Sequence, residues 1–118
     1  MKLKYFTLEE FDSPDKPGSS EYMDKDFLEM LDCAREEAQT PFRITSGFRT
    51  IEHNAEVGGV ENSSHLKGCA VDIACDNSQR RSVIIRALIN VGYTRLGIAK
   101  SFIHVDSDPD KSDAIWLY

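Results

Sequence analysis

The chain has 118 residues, a net charge of −6, 41% hydrophobic residues and 29% charged residues, which is the size and balance of one globular domain (1–118) with one core. The acidic excess argues against nucleic-acid binding as a main task, because no basic patch offsets it. No run approaches the roughly 18 apolar residues of a membrane span.

Thr7-Leu8-Glu9-Glu10 has the capping-box form and predicts a short helix. Asp12 to Ser20 is dense in turn residues and is expected to be an exposed loop. Asp24 is the predicted N-cap of a helix to about Gln39, with Phe27, Leu31, Ala34 and Ala38 as its core-facing stripe. Thr40-Pro41 stops that helix, and Phe42 to Ser46 follows as a strand closed by Gly47. Glu52 to Val57 predicts a short helix ended by Gly58-Gly59, and Ala70 to Cys75 a buried strand. Ser78 is the expected cap of a helix to about Val91, with Ile84, Ile85, Leu88 and Ile89 as its apolar stripe and Gly92 as its stop. Arg95 to Ala99 and Phe102 to Asp106 read as two strands joined at Lys100-Ser101, and Ile115 to Tyr118 as a last strand or a docked segment. Helices and strands interleave, but the last strands form a hairpin. That favours an α+β domain with helices packed on a largely antiparallel sheet over a parallel α/β sheet.

Chemistry concentrates at His65, Asp72 and His104. An ionised Asp72 within an apolar strand is costly unless it is paired or bound to a metal. In Ile103-His104-Val105-Asp106, alternation puts both polar residues on one face of the strand. Two imidazoles and a carboxylate suit zinc with one vertex open to water, the catalytic rather than the structural arrangement, although iron or nickel also accept this set. The bland alternative has His65 in a turn, Asp72 paired with an arginine and His104 satisfied in the core. The three cysteines include no CxxC pair and read as reduced core residues; Cys69, Val71, Ile73 and Cys75 share the strand face opposite Asp72. His53 lies away from both ligand strands and reads as a surface or supporting residue.

Ile44-Thr45-Ser46-Gly47-Phe48-Arg49-Thr50, Asn54, Gly58-Gly59, Ser64-His65-Leu66-Lys67-Gly68, Ala70, Asp72-Ile73, Gly97-Ile98 and Phe102-Ile103-His104-Val105-Asp106 together carry a family resemblance. With the Phe6 to Phe11 start, they resemble the zinc D-alanyl-D-alanine carboxypeptidases and peptidoglycan endopeptidases, in a short branch similar to phage lysins. That family shares its fold with the hedgehog signalling domain, so the resemblance implies that fold here. It also implies that His65, Asp72 and His104 hold Zn2+, which activates a water and polarises the scissile carbonyl. Arg49 matches an arginine that faces the substrate or the developing oxyanion, where a guanidinium can fork onto a carboxylate or carbonyl oxygen; the alternative is a structural ion pair at a strand end. Ser64 either hydrogen-bonds substrate, orients His65 or only shapes the turn.

Many relatives carry an acid three residues before the second histidine, where this chain has Ser101. A serine of ordinary pKa cannot take the proton from water. Asp106 is the expected replacement as catalytic base, or else it holds a ligand imidazole in its tautomer. Glu61 and Asp108 are weaker candidates. The expected function is a zinc-dependent peptidase cleaving D-alanine-containing peptidoglycan stem peptides or cross-links. The alternatives are a non-catalytic zinc-containing wall-binding module or a virion component. Met1 to Phe6 shows no apolar signal region. Synthesis in the cytoplasm is therefore expected, with phage-type release to the cell wall, carriage by a partner or virion, or a cytoplasmic substrate left open; a monomer is expected.

Overall fold

The computed structural model describes residues 2–118. Among these, the strands are β1 (Ile44–Ser46), β2 (Ala70–Ala74), β3 (Arg95–Ile98), β4 (Phe102–Asp106) and β5 (Ala114–Leu117), and the α-helices are α1 (Lys25–Ala38), α2 (Ile51–Glu56) and α3 (Ser78–Val91). The strands form one sheet in the order β1-β2-β4-β3-β5. All pairings are antiparallel except that of β5 with β3, so the architecture is α+β with a largely antiparallel sheet.

Alternation along β2, β3 and β4 sorts the sheet into two unlike faces. Val71, Ile73, Leu96, Ile103 and Val105 are fully buried and pack with Phe27, Leu28 and Leu31 of α1 and Ile84 and Leu88 of α3. Each such side chain contributes about 1.5–3 kcal/mol relative to exposure. The opposite face carries Asp72, His104, Asp106, Arg95 and Gly97. Register then decides who stands beside whom. Asp72 pairs with His104, His104 with Gly97, and Gly97 with Trp116, so these four residues make one row across the sheet.

Local signals explain most boundaries. Asp24 caps α1 by accepting the Phe27 N–H at 2.8 Å. Thr50 caps α2 by accepting the His53 N–H at 3.1 Å, so that helix starts at Ile51, one residue earlier than its sequence pattern implies. At the N-terminal side the Thr7 N–H donates to Glu10 at 2.8 Å, but the segment it caps is a single 3-10 turn, Leu8–Phe11.

Three expectations are corrected and one is refined. The cap of α3 is Asn77 rather than Ser78, since the Asn77 side chain accepts the Arg80 N–H at 2.8 Å. Ile89 is 46% exposed. Five positions turn a helix by about 500°, which puts Ile89 about 140° away from Ile84, off the buried stripe. The loop at 12–20 is exposed over 14–18 as expected, but it is pinned at both ends, where Ser13 and Ser19 are each 1% exposed. Asp12 accepts from the Gly18 N–H at 3.0 Å and the Ser20 N–H at 2.8 Å, and Ser19 Oγ accepts from the Ser13 N–H at 2.8 Å, so side chains fold the segment onto itself. Cys33 is exposed, whereas Cys69 and Cys75 lie in the core, where burial pushes the Cys69 thiol up to about 11. Among the described residues no helix is long and apolar enough to cross a membrane.

Candidate metal centre

Asp72 and His104 face each other across the β2–β4 ladder, the closest side-chain neighbourhood that a sheet offers. His65 arrives from a 3-10 turn, Ser64–Lys67, that leads into β2. Two bonds fix its position: His65 Nδ1–H donates to the Gly47 carbonyl at 2.8 Å, and the Arg49 N–H donates to the His65 carbonyl at 3.1 Å. A carbonyl can only accept, so Nδ1 carries a proton and Nε2 is the nitrogen turned towards Asp72, 3.4 Å from its Oδ1. His104 is held the other way round. Its Nε2 lies 2.6 Å from Asp106 Oδ2, and its Nδ1 lies 2.9 Å from Asp72 Oδ1.

The candidate ligand atoms of His65, Asp72 and His104 all lie within 4.8 Å of one another. Ligands about 2.0–2.1 Å from a tetrahedral ion stand about 3.3 Å apart, and the Asp72 contacts with the two imidazoles bracket that value. Both imidazoles have their second nitrogen fixed by a hydrogen-bond partner, as metal-binding histidines require. The residues present fit a divalent cation.

Burial alone would raise the Asp72 carboxyl, but His104 and His65 outweigh it and hold the group well below the usual carboxylate range. Burial would likewise lower His104, and its bonds to Asp106 and Asp72 reverse the sign, so its pKa is raised. Asp106 is 1% exposed. Beyond the Oδ2 contact with His104, its Oδ1 accepts from Arg95 Nε at 2.7 Å and from the Asp108 N–H at 3.1 Å. Both oxygens are therefore engaged, and their donors overcome burial to keep its pKa low.

Arg49 stands over the acid side of the set. Its Nε–H donates to Ser46 Oγ at 3.1 Å, its Nη1 donates to Asn54 Oδ1 at 3.2 Å, and its Nη2 lies 3.6 Å from Asp72 Oδ2. Gly59 makes room for this bracket, because a Cβ there would fall 2.0 Å from Asn54 Oδ1 and 3.0 Å from Arg49 Nη1. Ser64 Oγ donates to Asp108 Oδ2 at 2.7 Å and accepts from Lys111 Nζ at 3.0 Å, which ties the turn carrying His65 to the loop after β4.

One cleft of about 370 Å³ is lined by Arg49, Ser64, His65, Asp72, His104 and Asp106, so the structure brings all of the residues singled out in the sequence together. The weaker candidates are elsewhere. The Asp108 carboxylate is buried on Lys67, Ser64 and Lys111, Glu61 is exposed outside the cleft lining, and His53 sits near Glu56 on α2. Ser101 lines a different cavity with Arg43 and Arg80. Arg95, Lys111, Trp116 and Tyr118 line the cleft without having been anticipated. Alternation places Arg95 on the face of Gly97, which was a signal available in the sequence; the other three follow a loop and depend on how the chain returns.

The model of a family described as Peptidase M15 matches residues 4–106. A stretch of 56 residues, 48% of this chain, is 36% identical to the zinc D-Ala-D-Ala carboxypeptidase of Streptomyces albus G. That stretch spans 22% of the relative, so the similarity concerns about a fifth of its length.

Proposed function

As the chain belongs to the Peptidase M15 family, we propose that it is a zinc-dependent peptidase acting on D-alanine-containing peptides of the peptidoglycan stem. The observation that carries this reading is the convergence of His65 Nε2, Asp72 Oδ1 and His104 Nδ1 in one cleft, beside an arginine. The activity in the name of the Streptomyces relative supports the substrate class. When bound, zinc supplies a Lewis acid for the scissile carbonyl and lowers the pKa of water at its open vertex.

The chain's own residues hold and orient. His65, Asp72 and His104 would hold the ion. Asp106 is a positioning residue: by accepting from His104 Nε2–H it turns Nδ1 towards Asp72 and the place where the ion would sit, and Arg95 keeps Asp106 ionised and aimed. Of the two roles the sequence leaves open for Asp106, its contacts support this one over the base: three donors already reach its oxygens and the residue is 1% exposed. Arg49, steadied by Ser46 and Asn54, retains N–H groups for a substrate carboxylate or carbonyl. A substrate with a free carboxylate next to the scissile bond, as in the carboxypeptidase mode, would engage that fork through both oxygens. Ser64 acts through the turn that carries His65 and not by touching substrate.

The test is a digestion of muropeptides by zinc-loaded protein, expected to release D-alanine. Splitting of cross-linked dimers instead would mark an endopeptidase. No product of either kind, with zinc bound, overturns the peptidase reading. A second reading, a zinc-containing module that binds the cell wall without cutting it, draws on the serine at position 101 and the fully engaged Asp106. It predicts binding to intact sacculi with no product over any time course.

A further inference from the structure

Strand β5 lies beyond the residues matched by the family model, yet it forms one wall of the cleft. Its place follows from the row across the sheet, in which His104 of β4 pairs with Gly97 of β3 and Gly97 pairs with Trp116. Because position 97 has no side chain, the rings of the edge strand lie down across it. A Cβ there would fall 2.7 Å from ring atoms of both Trp116 and Tyr118. The indole thereby comes within 5.5 Å of the His104 ring, centroid to centroid, with the Arg95 guanidinium 4.9 Å from its own. Tyr118 extends the wall to Phe102, 5.1 Å away between ring centroids.

These rings are not core. Tyr118 is 68% exposed, and Val57 and Val60, which line the same cleft, are 51% and 63% exposed. The cleft thus has a charged floor and two apolar rims, and exposed apolar surface of that kind marks a place where something binds. An aromatic face so near the candidate metal ligands meets the substrate residue next to the scissile bond, not a distant part of the ligand.

We infer that Trp116 and Tyr118 form the subsite for the side chain flanking the scissile bond and select a small apolar group, a methyl, over none. The inference rests on the peptidase reading and names the chemistry its substrate must carry at that position. An aromatic wall rewards a methyl by apolar burial and dispersion, and one such group against a hydrophobic pocket is worth roughly tenfold or more in discrimination.

The experiment uses the zinc-loaded full chain, its W116A and W116F variants, and three peptides: one ending in D-Ala-D-Ala and two analogues with glycine at each of those positions in turn. The wild type is expected to prefer the methyl-bearing peptide by roughly tenfold in kcat/KM. W116A should bind zinc at wild-type stoichiometry but lose most of that preference, and W116F should keep most of it. W116A that holds zinc and keeps the full preference overturns the inference. Trp116 is the single tryptophan of the chain, so its emission reads the subsite without turnover. Titration with the D-alanyl peptide should change that emission saturably, and a flat response overturns the subsite even if W116A fails to fold. Hydrolysis without preference removes the subsite alone; a saturable emission change without hydrolysis removes the peptidase reading and leaves the subsite standing.

Discussion

Replacing Asp106 by asparagine separates the two roles a carboxylate can have at that position. In the native arrangement Oδ2 accepts from His104 Nε2 at 2.6 Å, while Oδ1 accepts from Arg95 Nε at 2.7 Å and from the Asp108 N–H at 3.1 Å. An asparagine offers one accepting atom and one donating group. If its amide NH2 faces His104, it favours the tautomer with the proton on Nδ1, the nitrogen that must be bare to bind metal. If the NH2 faces Arg95, two donors oppose each other in a site only 1% exposed. Either orientation weakens the centre. Loss of such a supporting partner costs about 10–100-fold in metal affinity, or about 1.4–2.7 kcal/mol. A base role predicts something different: zinc affinity near wild type and a fall in kcat of about 10²–10⁴. The assay is a zinc competition against a chromophoric chelator, followed by peptide turnover at saturating zinc. D106N is expected to bind zinc more weakly and to recover most of its turnover once saturated. Unchanged zinc affinity with abolished turnover refutes the positioning argument and restores Asp106 as the base.

Three further outcomes follow from particular contacts. Arg49→Lys keeps a positive charge but loses the fork held by Ser46 and Asn54; kcat/KM on a D-alanyl peptide should fall roughly 10–100-fold, the worth of a charge-assisted bond, with zinc content unchanged by metal analysis. Asp108 should make stability acid-sensitive: burial alone would raise its carboxyl, but Lys67 and Ser64 outweigh that and hold it below the ordinary range. A carboxyl lowered in the fold gives stability that is complete above its unfolded pKa of about 4 and is lost as pH falls through the folded value. D108N should therefore lower Tm at neutral pH and flatten its decline below about pH 4, whereas parallel Tm curves would contradict this. Leu28→Ala, at a side chain 1% exposed between α1 and the sheet, should cost about 2–5 kcal/mol in urea denaturation while leaving zinc affinity intact.

How much of this was legible in the chain depended on whether the information is local. Caps and periods are local, so α1, α3, β2 and β4 could be read from Asp24, from the apolar stripes and from the alternation of Val71, Asp72 and Ile73. The same alternation put His104 and Asp106 on one face, which is why the candidate site could be assembled before its geometry was known. His65 was visible only as part of a motif, since a single 3-10 turn has no period to detect. Alternation also cannot say which imidazole nitrogen a neighbour holds. The two roles of Asp106 were therefore separable only by the distances to His104, Arg95 and Asp108.

Trp116 was the least readable of all. Its position depends on β5 returning parallel to β3 at the sheet edge, and on the register that sets it against a glycine. Gly97 in a strand interior was the clue, because a glycine there weakens the strand unless another group must come close. The two kinds of element also divide the work. Asp72 and His104 sit on β2 and β4 in the interior of the sheet, where neighbours on both sides hold the backbone, and a metal tolerates little error in donor placement. The rims come from the loop carrying Val57 and Val60 and from the edge strand β5, where sequence can change without disturbing that centre. Selectivity for the flanking residue should then be alterable at Trp116 and Tyr118 with zinc affinity held constant, whereas substitution of Asp72 or His104 should change both.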